Sequence, residues 1–362
     1  MSKKRNRLFL ISNMYPSKED VRYGIFVKRF EEAVNEYFEV KRLVLTKKIN
    51  VTGKIFGYIL VYLKILSLIF RSKDQDIVYV HFPLYFAPVL WLFKWEKVPL
   101  VLNFHGSDAT FGSTLKKLLK WFLVPVIKRS KKIVVPSAYY LDKVSDIFEI
   151  DDHNKIYVYP SGGINAKLFR PKTKKQQGEL VYGFVSNFIE SKGWRIFLEA
   201  LYRVCNQNKS QRIKGIMVGD GPDKTQVVKT IQDMRVNVEL IGNVPQDQLA
   251  EIYAGFSAFI FPTYREEESL GLVGIEAMMC GIPVIGSKVG GPLGYIVEGY
   301  NGFLFEKKNI DELVHKMEQF QNLTKSQVDD LVENCVATAK KYDSTLVNKG
   351  LLNMLISLNQ GL

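Results

Sequence analysis

Residues that build metal centres and disulfide frameworks are scarce in this sequence. Among its 362 residues there are four histidines and three cysteines, and Cys205, Cys280 and Cys335 lie far apart in the chain. Neither the ligand spacing of a zinc site nor an even-numbered cysteine set is present, which argues against both kinds of scaffold. We therefore expect no metal site and no disulfides, and a protein of the reducing cytoplasm.

Long hydrophobic runs are also missing. The run Leu8–Ile11, which follows a basic start, is too short for the apolar region of a secretory signal. The most hydrophobic stretch, Ile55–Phe70, contains Lys64 and is shorter than the roughly 20 residues that a membrane-spanning helix needs. We expect no signal peptide and no membrane span, and a buried or surface-lying helix at Ile55–Phe70.

Acidic residues are scarce in the first half of the chain. Residues 1–172 carry a net charge of +15, whereas residues 173–362 carry −2. An ordinary solvated surface is one explanation. The other is a basic half that faces an anionic membrane or an anionic acceptor, because such a field concentrates partners of opposite charge. No nucleic-acid-binding motif accompanies the charge, so nucleic acid is not expected as a partner.

One segment of the basic half has an amphipathic helical pattern. Its apolar residues fall on one helical face, with lysines around them. Such a helix can lie in a membrane interface, or it can turn its apolar face into a protein core. The pattern leaves both alternatives open. The apolar residues are Leu115, Leu118, Leu119, Phe122 and Val126.

Short apolar, β-branched runs alternate with longer helical patterns, which predicts parallel sheets covered by helices. The alternation pauses at 165–178, a lysine- and glutamine-rich segment typical of a linker. We therefore predict an N-terminal domain (1–164), a C-terminal domain (179–343), and a C-terminal helix (344–362) that can pack back on the first domain. The predicted strands are Arg7–Ser12, Val40–Leu45, Ile77–His81, Leu100–Asn103, Ile133–Val135, Ile156–Tyr159, Leu180–Ser186, Gly215–Val218, Val238–Ile241, Ala258–Phe261 and Pro283–Ile285. The predicted helices include Ile25–Phe38, Gly53–Phe70, Thr114–Lys128 and Ser344–Leu358.

The segment 261–291 contains the most specific functional pattern, FPTYREEESLGLVGIEAMMCGIPVIGSKVGG. It predicts a strand, then an acidic loop closed by Glu268, then a helix that Ser269 caps and that begins near Leu270 or Gly271. The first-turn N–H groups of such a helix have no partners within the helix. Together with the helix dipole they favour a phosphate group.

Two glutamates flank this predicted phosphate site. Glu268 can accept hydrogen bonds from sugar hydroxyls, and Glu276, two turns into the helix, can reach the hydroxyls of a ribose. Taken alone, two glutamates would be ordinary residues of a solvated turn and a helix surface. Their interpretation as ligands depends on the residues around them.

Glu268 and Glu276, with seven residues between them, precede Ala-Met-Met-Cys-Gly-Ile-Pro-Val-Ile-Gly-Ser. This pattern resembles the signature of the retaining family 4 glycosyltransferases, which have the GT-B fold. The resemblance implies two doubly wound, Rossmann-like domains facing a cleft. It also implies transfer of a hexose or N-acetylhexosamine from a nucleoside-diphosphate sugar to a hydroxyl of a glycan. We expect UDP rather than GDP as the carrier, because UDP is more common among similar enzymes.

The same resemblance implies a setting for the enzyme. The acceptor would be a growing glycan, lipid-linked at the inner face of the plasma membrane, in cell-surface polysaccharide assembly. The protein would then be cytoplasmic and peripheral on that membrane, held through its basic half. No cofactor and no metal ion are implied beyond the nucleotide sugar itself.

The loop Glu190–Trp194 resembles the family's loop that supplies a lysine to the donor diphosphate, which assigns that role to Lys192. The sequence departs from the family five residues earlier, where Asn187 replaces a frequent arginine. Arg195 and Arg265 are candidates for the missing cation.

In the N-terminal half, His105 and Asp108 resemble the family's histidine loop at the cleft. This implies that His105 lines the donor-sugar site and that Asp108 orients the acceptor. Gly24 is either part of a donor-binding loop or a plain turn residue. Taken together, the resemblance implies catalytic roles for His105, Lys192 and Glu268. It implies donor binding by Gly24, Asn187, Gly242, Val244, Ser269, Leu270, Gly271, Leu272 and Glu276.

Other functions remain as alternatives. A nucleotide-sugar epimerase or a phosphorylase could use the same fold, although no pyridoxal-binding lysine context is found. The glycine pattern of a nicotinamide enzyme does not follow the first strand. A basic nucleic-acid-binding protein is the remote alternative. Because no protein nucleophile is evident in the N-terminal half, we expect a front-face mechanism in which the leaving phosphate helps to deprotonate the acceptor.

Overall fold

The computed structural model describes residues 5–21, 23–47, 50–68, 72–93, 98–172, 178–207 and 212–360. The chain divides into two compact units. The first ends at Gly162 and takes in the chain again from Val347, and the second is Gly163–Leu346.

Three predicted features extend outside these residues. They are the basic start with Lys3 and Lys4, the end of the predicted helix 53–70, and residues 173–177 of the predicted linker. The described part of the linker packs into the second unit, where Phe169 is buried in the core.

The described residues of the first unit form a six-stranded parallel sheet with the order β2-β1-β3-β4-β5-β6. The central strands are fully buried, which explains why they appear in the sequence as unbroken apolar runs rather than as alternating ones. The register pairs His81 with Asn103 at the carboxyl ends of β3 and β4. The strands are β1 (Arg7–Tyr15), β2 (Glu39–Thr46), β3 (Ile77–His81), β4 (Leu100–Asn103), β5 (Lys132–Val135) and β6 (Ile156–Val158).

Helices cover both faces of this sheet, because successive strand residues point to opposite sides. One face packs on α1 and α12, where Leu351 and Leu355 join Leu8 and Leu10 in a buried cluster. The other face packs on α2 to α5. The helices are α1 (Ile25–Val34), α2 (Val51–Leu66), α3 (Ala87–Leu90), α4 (Thr114–Arg129), α5 (Ala138–Phe148) and the C-terminal α12 (Ser344–Gln360).

The second unit has its own parallel sheet of six described strands, in the order β12-β11-β10-β7-β8-β9. The last of them along the chain is absent from the predicted set. It starts with Gly302, whose Cα approaches the backbone of Val284 so closely that a Cβ would lie 2.1 Å from the Val284 oxygen. So short a strand is hard to recognise in the sequence because it begins with glycine and follows a turn-rich segment. The strands are β7 (Glu179–Val185), β8 (Arg212–Val218), β9 (Val238–Ile241), β10 (Ala258–Phe261), β11 (Val284–Ser287) and β12 (Gly302–Phe305).

Six described helices cover this second sheet. Trp194 and Phe197 of the first of them are fully buried and contribute large side chains to the core. Within the described residues of the chain, no helix has the length and apolar character needed to cross a membrane. The helices are α6 (Trp194–Gln207), α7 (Lys224–Met234), α8 (Gln246–Tyr253), α9 (Leu272–Met279), α10 (Ile310–Gln321) and α11 (Lys325–Lys340).

Candidate functional site

A cavity of about 320 Å³ lies in the second unit, beyond the carboxyl ends of β7, β8 and β9 and beside the start of α9. This is where doubly wound sheets bind their ligands. It brings together six of the predicted residues from three separate parts of the sequence. Those six are Asn187, Lys192, Val244, Glu268, Gly271 and Leu272.

Lys192 and Glu268 form an ion pair in the wall of this cavity. The Lys192 Nζ lies 2.5 Å from Glu268 Oε2, and both side chains are largely buried. The hydroxyl of Thr263 donates to the same carboxylate oxygen at 3.2 Å. Removing either charge would leave the other buried without its partner, which is costly. The two predicted catalytic residues of this unit, Lys192 and Glu268, therefore depend on each other for charge balance.

Glycines bring the loops around this pair together. Gly193 has φ +79°, and a Cβ there would lie 2.0 Å from the carbonyl oxygen of Pro262. At Gly290 and Gly291 a Cβ would meet backbone atoms of the segment Glu268–Leu270 within 2.5 Å. The Gly291 N–H also donates to the Glu268 carbonyl at 2.9 Å. The backbone that carries Lys192 and Glu268 is thus held by contacts that only glycine allows.

Helix α9 begins at Leu272, one residue after the predicted start near Leu270 or Gly271, but with a different capping residue. Its N-cap is Gly271, and Ser269 is not the capping residue. Gly271 has φ +77°, and the left-handed backbone there prevents the helix from extending back to Leu270. Leu270 itself is 1% exposed and packs in the core, so its side chain does not line the cavity. The helix start that faces the cavity is Gly271–Val273.

Glu276 is buried behind this helix start and is not among the residues that line the cavity. Contacts of its carboxylate include the Tyr253 hydroxyl at 3.4 Å and the Gln246 amide at 3.5 Å. The Tyr253 hydroxyl makes a better hydrogen bond, 3.0 Å, to the Val273 carbonyl. Burial, and then the nearby Glu276 charge, raise the pKa of Tyr253 well above its ordinary value, so this hydroxyl stays a donor.

Neither arginine considered for the position of Asn187 lines the cavity. Arg195 is 3.7 Å from Glu190 and stacks over the Trp194 ring. Arg265 is half-buried in the acidic loop. Of the cavity residues that the structure describes, Lys192 is the only cationic one.

Two other predicted donor ligands, Gly242 and Ser269, do not line the cavity. The predicted residue Gly242 has open space beside its Cα and does not line the cavity, whereas its neighbours Asn243 and Val244 do. Ser269 is half-buried and also lies outside the lining set.

In the first unit, the predicted histidine loop follows β4 and brings His105 against a second histidine. The two imidazoles stack with 5.0 Å between their centroids, and His81 Nδ1 lies 2.8 Å from His105 Nε2. Phe26 and Phe82 also contact the His105 ring. Burial lowers the pKa of His105 to about 3 and that of His81 well below its ordinary value. Both rings are therefore neutral at physiological pH.

The amide of Asn103 lies beside this histidine pair. Its Nδ2 donates to the Tyr79 hydroxyl at 2.9 Å and presents its second hydrogen to His81 Nδ1 at 3.3 Å. Two neutral imidazoles in this contact share one N–H, so one ring donates and the other accepts. With His105 Nε2 as the donor, its Nδ1 carries no proton and can accept a hydrogen bond from a ligand hydroxyl.

Asp108 is fully buried and turns back on its own loop. Its Oδ1 accepts a hydrogen bond from the His105 amide at 2.8 Å, and its Oδ2 has no partner within the described residues. Burial raises the pKa of Asp108 to about 7. The carboxyl group therefore shapes the loop that presents His105.

Gly24 lies where the start of α1 meets the end of β1. It is the N-cap of α1 with φ +73°, and a Cβ would lie 2.7 Å from the Met14 carbonyl carbon. This close approach brings the start of α1 to the end of β1, so that Phe26 and Phe30 reach the histidine pair.

Sequence reasoning missed three residues of these sites: Thr263, His81 and Asn103. Each lies at the carboxyl end of a parallel strand or within two residues after it. That position was the available signal, since strand ends of this kind meet at one sheet edge.

Both parts of the chain match family models. Residues 18–162 match Glycosyltransferase Family 4, and residues 165–341 match Glycosyl transferases group 1. The chain belongs to the family 4 glycosyltransferases. The resemblance found in segment 261–291 is confirmed.

Relatives of this glycosyltransferase are distant in sequence. An uncharacterized glycosyltransferase of Methanocaldococcus jannaschii is 27% identical over 324 residues, 86% of this chain and 83% of the relative. The GDP-mannose-dependent alpha-mannosyltransferase of Corynebacterium glutamicum is 24% identical over 308 residues, 78% and 68% of the two chains. The crystal structure of Anabaena HepE in complex with UDP has a TM-score of 0.74 at 17% identity, covering 97% of this chain and 100% of HepE. The expected GT-B fold is confirmed.

Proposed function

We propose that this glycosyltransferase transfers a hexose or N-acetylhexosamine, with retention of configuration, from a UDP-sugar to a hydroxyl of a glycan. The observation that carries the proposal is the Lys192–Glu268 ion pair in the wall of the cavity, beside the start of α9. A cation and the first-turn amides of a helix suit a diphosphate, and a carboxylate beside them suits sugar hydroxyls.

Lys192 has the central role in this proposal. In the free protein its charge is balanced by Glu268. A bound diphosphate would share the ammonium group, so Lys192 would stabilise the negative charge that grows on the leaving group. Glu268 would then be free to accept a hydrogen bond from the sugar. The α9 amides from Gly271 on would add to the field at the phosphate.

Glu276 would bind the ribose of the nucleotide. A carboxylate is the group that accepts hydrogen bonds from paired ribose hydroxyls in dinucleotide-binding folds. Neither glutamate acts as an acid or base in this scheme. The reaction would follow a front-face course, with the departing phosphate taking the acceptor proton.

His105 would contact the donor sugar. In this proposal Nε2 of the neutral ring donates to His81 Nδ1, 2.8 Å away, and Nδ1 accepts from the sugar. Asp108 would act on the acceptor side through the loop that it shapes, since its described bond is to the His105 amide.

The structure of HepE with UDP supports UDP as the carrier, while the mannosyltransferase relative is named for GDP-mannose. The acceptor in this proposal is lipid-linked and belongs to cell-surface polysaccharide assembly. An anionic membrane surface is the corresponding partner of the basic half of the chain.

Thermal-shift measurements with UDP, GDP and their sugars test the donor. We expect UDP and a UDP-sugar to raise the melting temperature of the wild type. Lys192→Ala and Glu276→Ala should reduce this shift, and Lys229→Ala, at an exposed lysine of α7, should not. Turnover that both site variants leave unchanged would refute the assignment. Conversion of the donor without any acceptor would indicate an epimerase, and product with inverted anomeric configuration by NMR would exclude retention.

A further inference from the structure

We propose that helices α2 and α4, with Trp91 and Leu92, form a surface that inserts into the headgroup region of an anionic membrane. The proposal deepens the proposed function, since it names the part of the chain that would bring the enzyme to a lipid-linked acceptor. The surface itself is defined by side-chain exposure and charge.

Large apolar side chains are exposed on these elements to an unusual extent. Eleven of the twenty exposed large apolar residues among the described ones lie here, against six in the whole second unit. Six are on α2 between Val51 and Leu63, two follow α3, and three are on α4, ending with Trp121. We call these eleven side chains the apolar platform. Exposed patches of this kind mark interaction sites.

The apolar platform is continuous across its elements. Helix α3 contacts both α2 and α4. At the α3–α4 contact the rings of Trp91 and Trp121 are 6.3 Å apart, and Phe122 touches both. Tryptophan is the side chain that sits best at the headgroup level of a bilayer.

The core anchors α2 on one side only. Val61 and Ile65 are buried, whereas Phe56 is 61% exposed. The sequence pattern on α4 left a core face and a membrane face open. The helix uses both, since Val126 is buried and Leu115 and Leu118 are exposed.

The charge of these helices matches an anionic surface. Together α2 and α4 contain seven Lys or Arg residues and no Asp or Glu. Within the described residues, no carboxylate forms a salt bridge with any of the seven. Lys54, Lys64, Lys117 and Lys128 are exposed. A basic amphipathic surface of this kind binds anionic lipids by charge and by insertion of its apolar side chains.

The charge also argues against a second copy of this chain as the occupant. A two-fold interface would place the platform against itself. The lysines of α2 and α4 around the platform would then face those of the other copy, without any acidic residue of either helix between them. An anionic bilayer supplies the missing negative charge.

Vesicle cosedimentation of the full chain tests the proposal, with phosphatidylcholine vesicles that contain or lack phosphatidylglycerol. We expect binding that depends on the anionic lipid and weakens with salt. Lys54→Glu/Lys117→Glu should lower the binding constant by about fivefold or more per lysine. Phe56→Gln/Trp121→Gln should abolish the binding that remains at higher salt.

Matched controls in the second unit are Lys229→Glu/Lys325→Glu and Val297→Gln/Tyr300→Gln, all at exposed positions. Equal vesicle binding by the platform variants and the control variants would overturn the proposal. A wild-type protein that does not bind anionic vesicles would also overturn it. A wild-type dimer that dissociates in Phe56→Gln/Trp121→Gln, seen by sedimentation, would assign the platform to a second copy instead.

The platform variants should keep the thermal shift with UDP in the absence of vesicles. A wild type that binds vesicles but no nucleotide would refute the proposed function and keep the membrane-binding proposal. A wild type that binds UDP but no vesicles would refute the membrane-binding proposal and keep the proposed function.

Discussion

Each unit of this glycosyltransferase has a pair of polar side chains near its strand ends, and the pair is charged in one unit and neutral in the other. In the second unit Lys192 and Glu268 are a charged pair that shares the cavity wall. In the first, His81 and His105 are a neutral pair whose pKa values are lowered by burial. Charged groups suit a diphosphate, whereas neutral donors and acceptors suit an uncharged sugar. The difference predicts that variants of the two sites affect nucleotide binding and sugar transfer separately.

Lys192→Ala should give the largest effect. Removing a cation that stabilises the leaving group typically costs about 10²–10³ in turnover, and here it also leaves Glu268 buried without its partner. We expect kcat/KM to fall by that factor and the thermal shift with UDP to shrink. Lys192→Arg should recover part of the activity. A loss of less than about tenfold in Lys192→Ala would contradict the electrostatic role.

Asp108→Asn should change how stability depends on pH. The folded-state pKa of Asp108 is raised to about 7, so the folded protein holds a proton that the unfolded chain releases near pH 4. This contribution is full below that pH and is lost as the pH rises to about 7. An amide at this position cannot ionise, so the variant should gain about 1–3 kcal/mol relative to wild type between pH 5 and pH 8. Urea unfolding at pH 5 and pH 8 measures this difference in the free energy of unfolding. The same pH dependence in variant and wild type would show that the pKa of Asp108 is not raised by burial.

His81→Phe tests the neutral pair. The change removes the hydrogen-bonding partner of His105 Nε2, so the ring loses a contact that orients it. Because a misplaced group at the reacting sugar lowers the rate, we expect kcat/KM to fall about tenfold, while the affinity for UDP stays unchanged. His81→Gln, which keeps a hydrogen-bonding group, should recover part of the activity. If the affinity for UDP falls in step with turnover, the separation between the two sites is wrong.

Arg265→Ala and Arg195→Ala should have the smallest effects. Neither arginine lines the cavity, so neither replaces the cation that is missing at Asn187. Surface substitutions of this kind usually change free energies by less than about 0.5 kcal/mol. Turnover should therefore stay within about twofold of wild type. A loss as large as that of Lys192→Ala would identify the arginine as a second phosphate ligand.

Much of the fold could be predicted because its signals are local. Ile77–His81 and Leu100–Asn103 are strands with the predicted bounds, since fully buried strands appear as apolar runs. The start of α9 could not be placed by its capping pattern. Ser269 has the right residue type, but the left-handed backbone at Gly271 delays the helix. The strand at Gly302 was missed because its glycine start is explained only by the Val284 backbone beside it.

The sequence by itself determined the fold class and the family, because strand–helix alternation and the segment 261–291 are contiguous patterns. The tertiary structure decided which side chains act together. Lys192 meets Glu268 across 76 residues, and His81 meets His105 across 24. Such pairs form because parallel strands end at one edge of a sheet, wherever they lie in the chain. Exposure was decided in the same way, since only packing shows that the apolar residues of α2 stay at the surface.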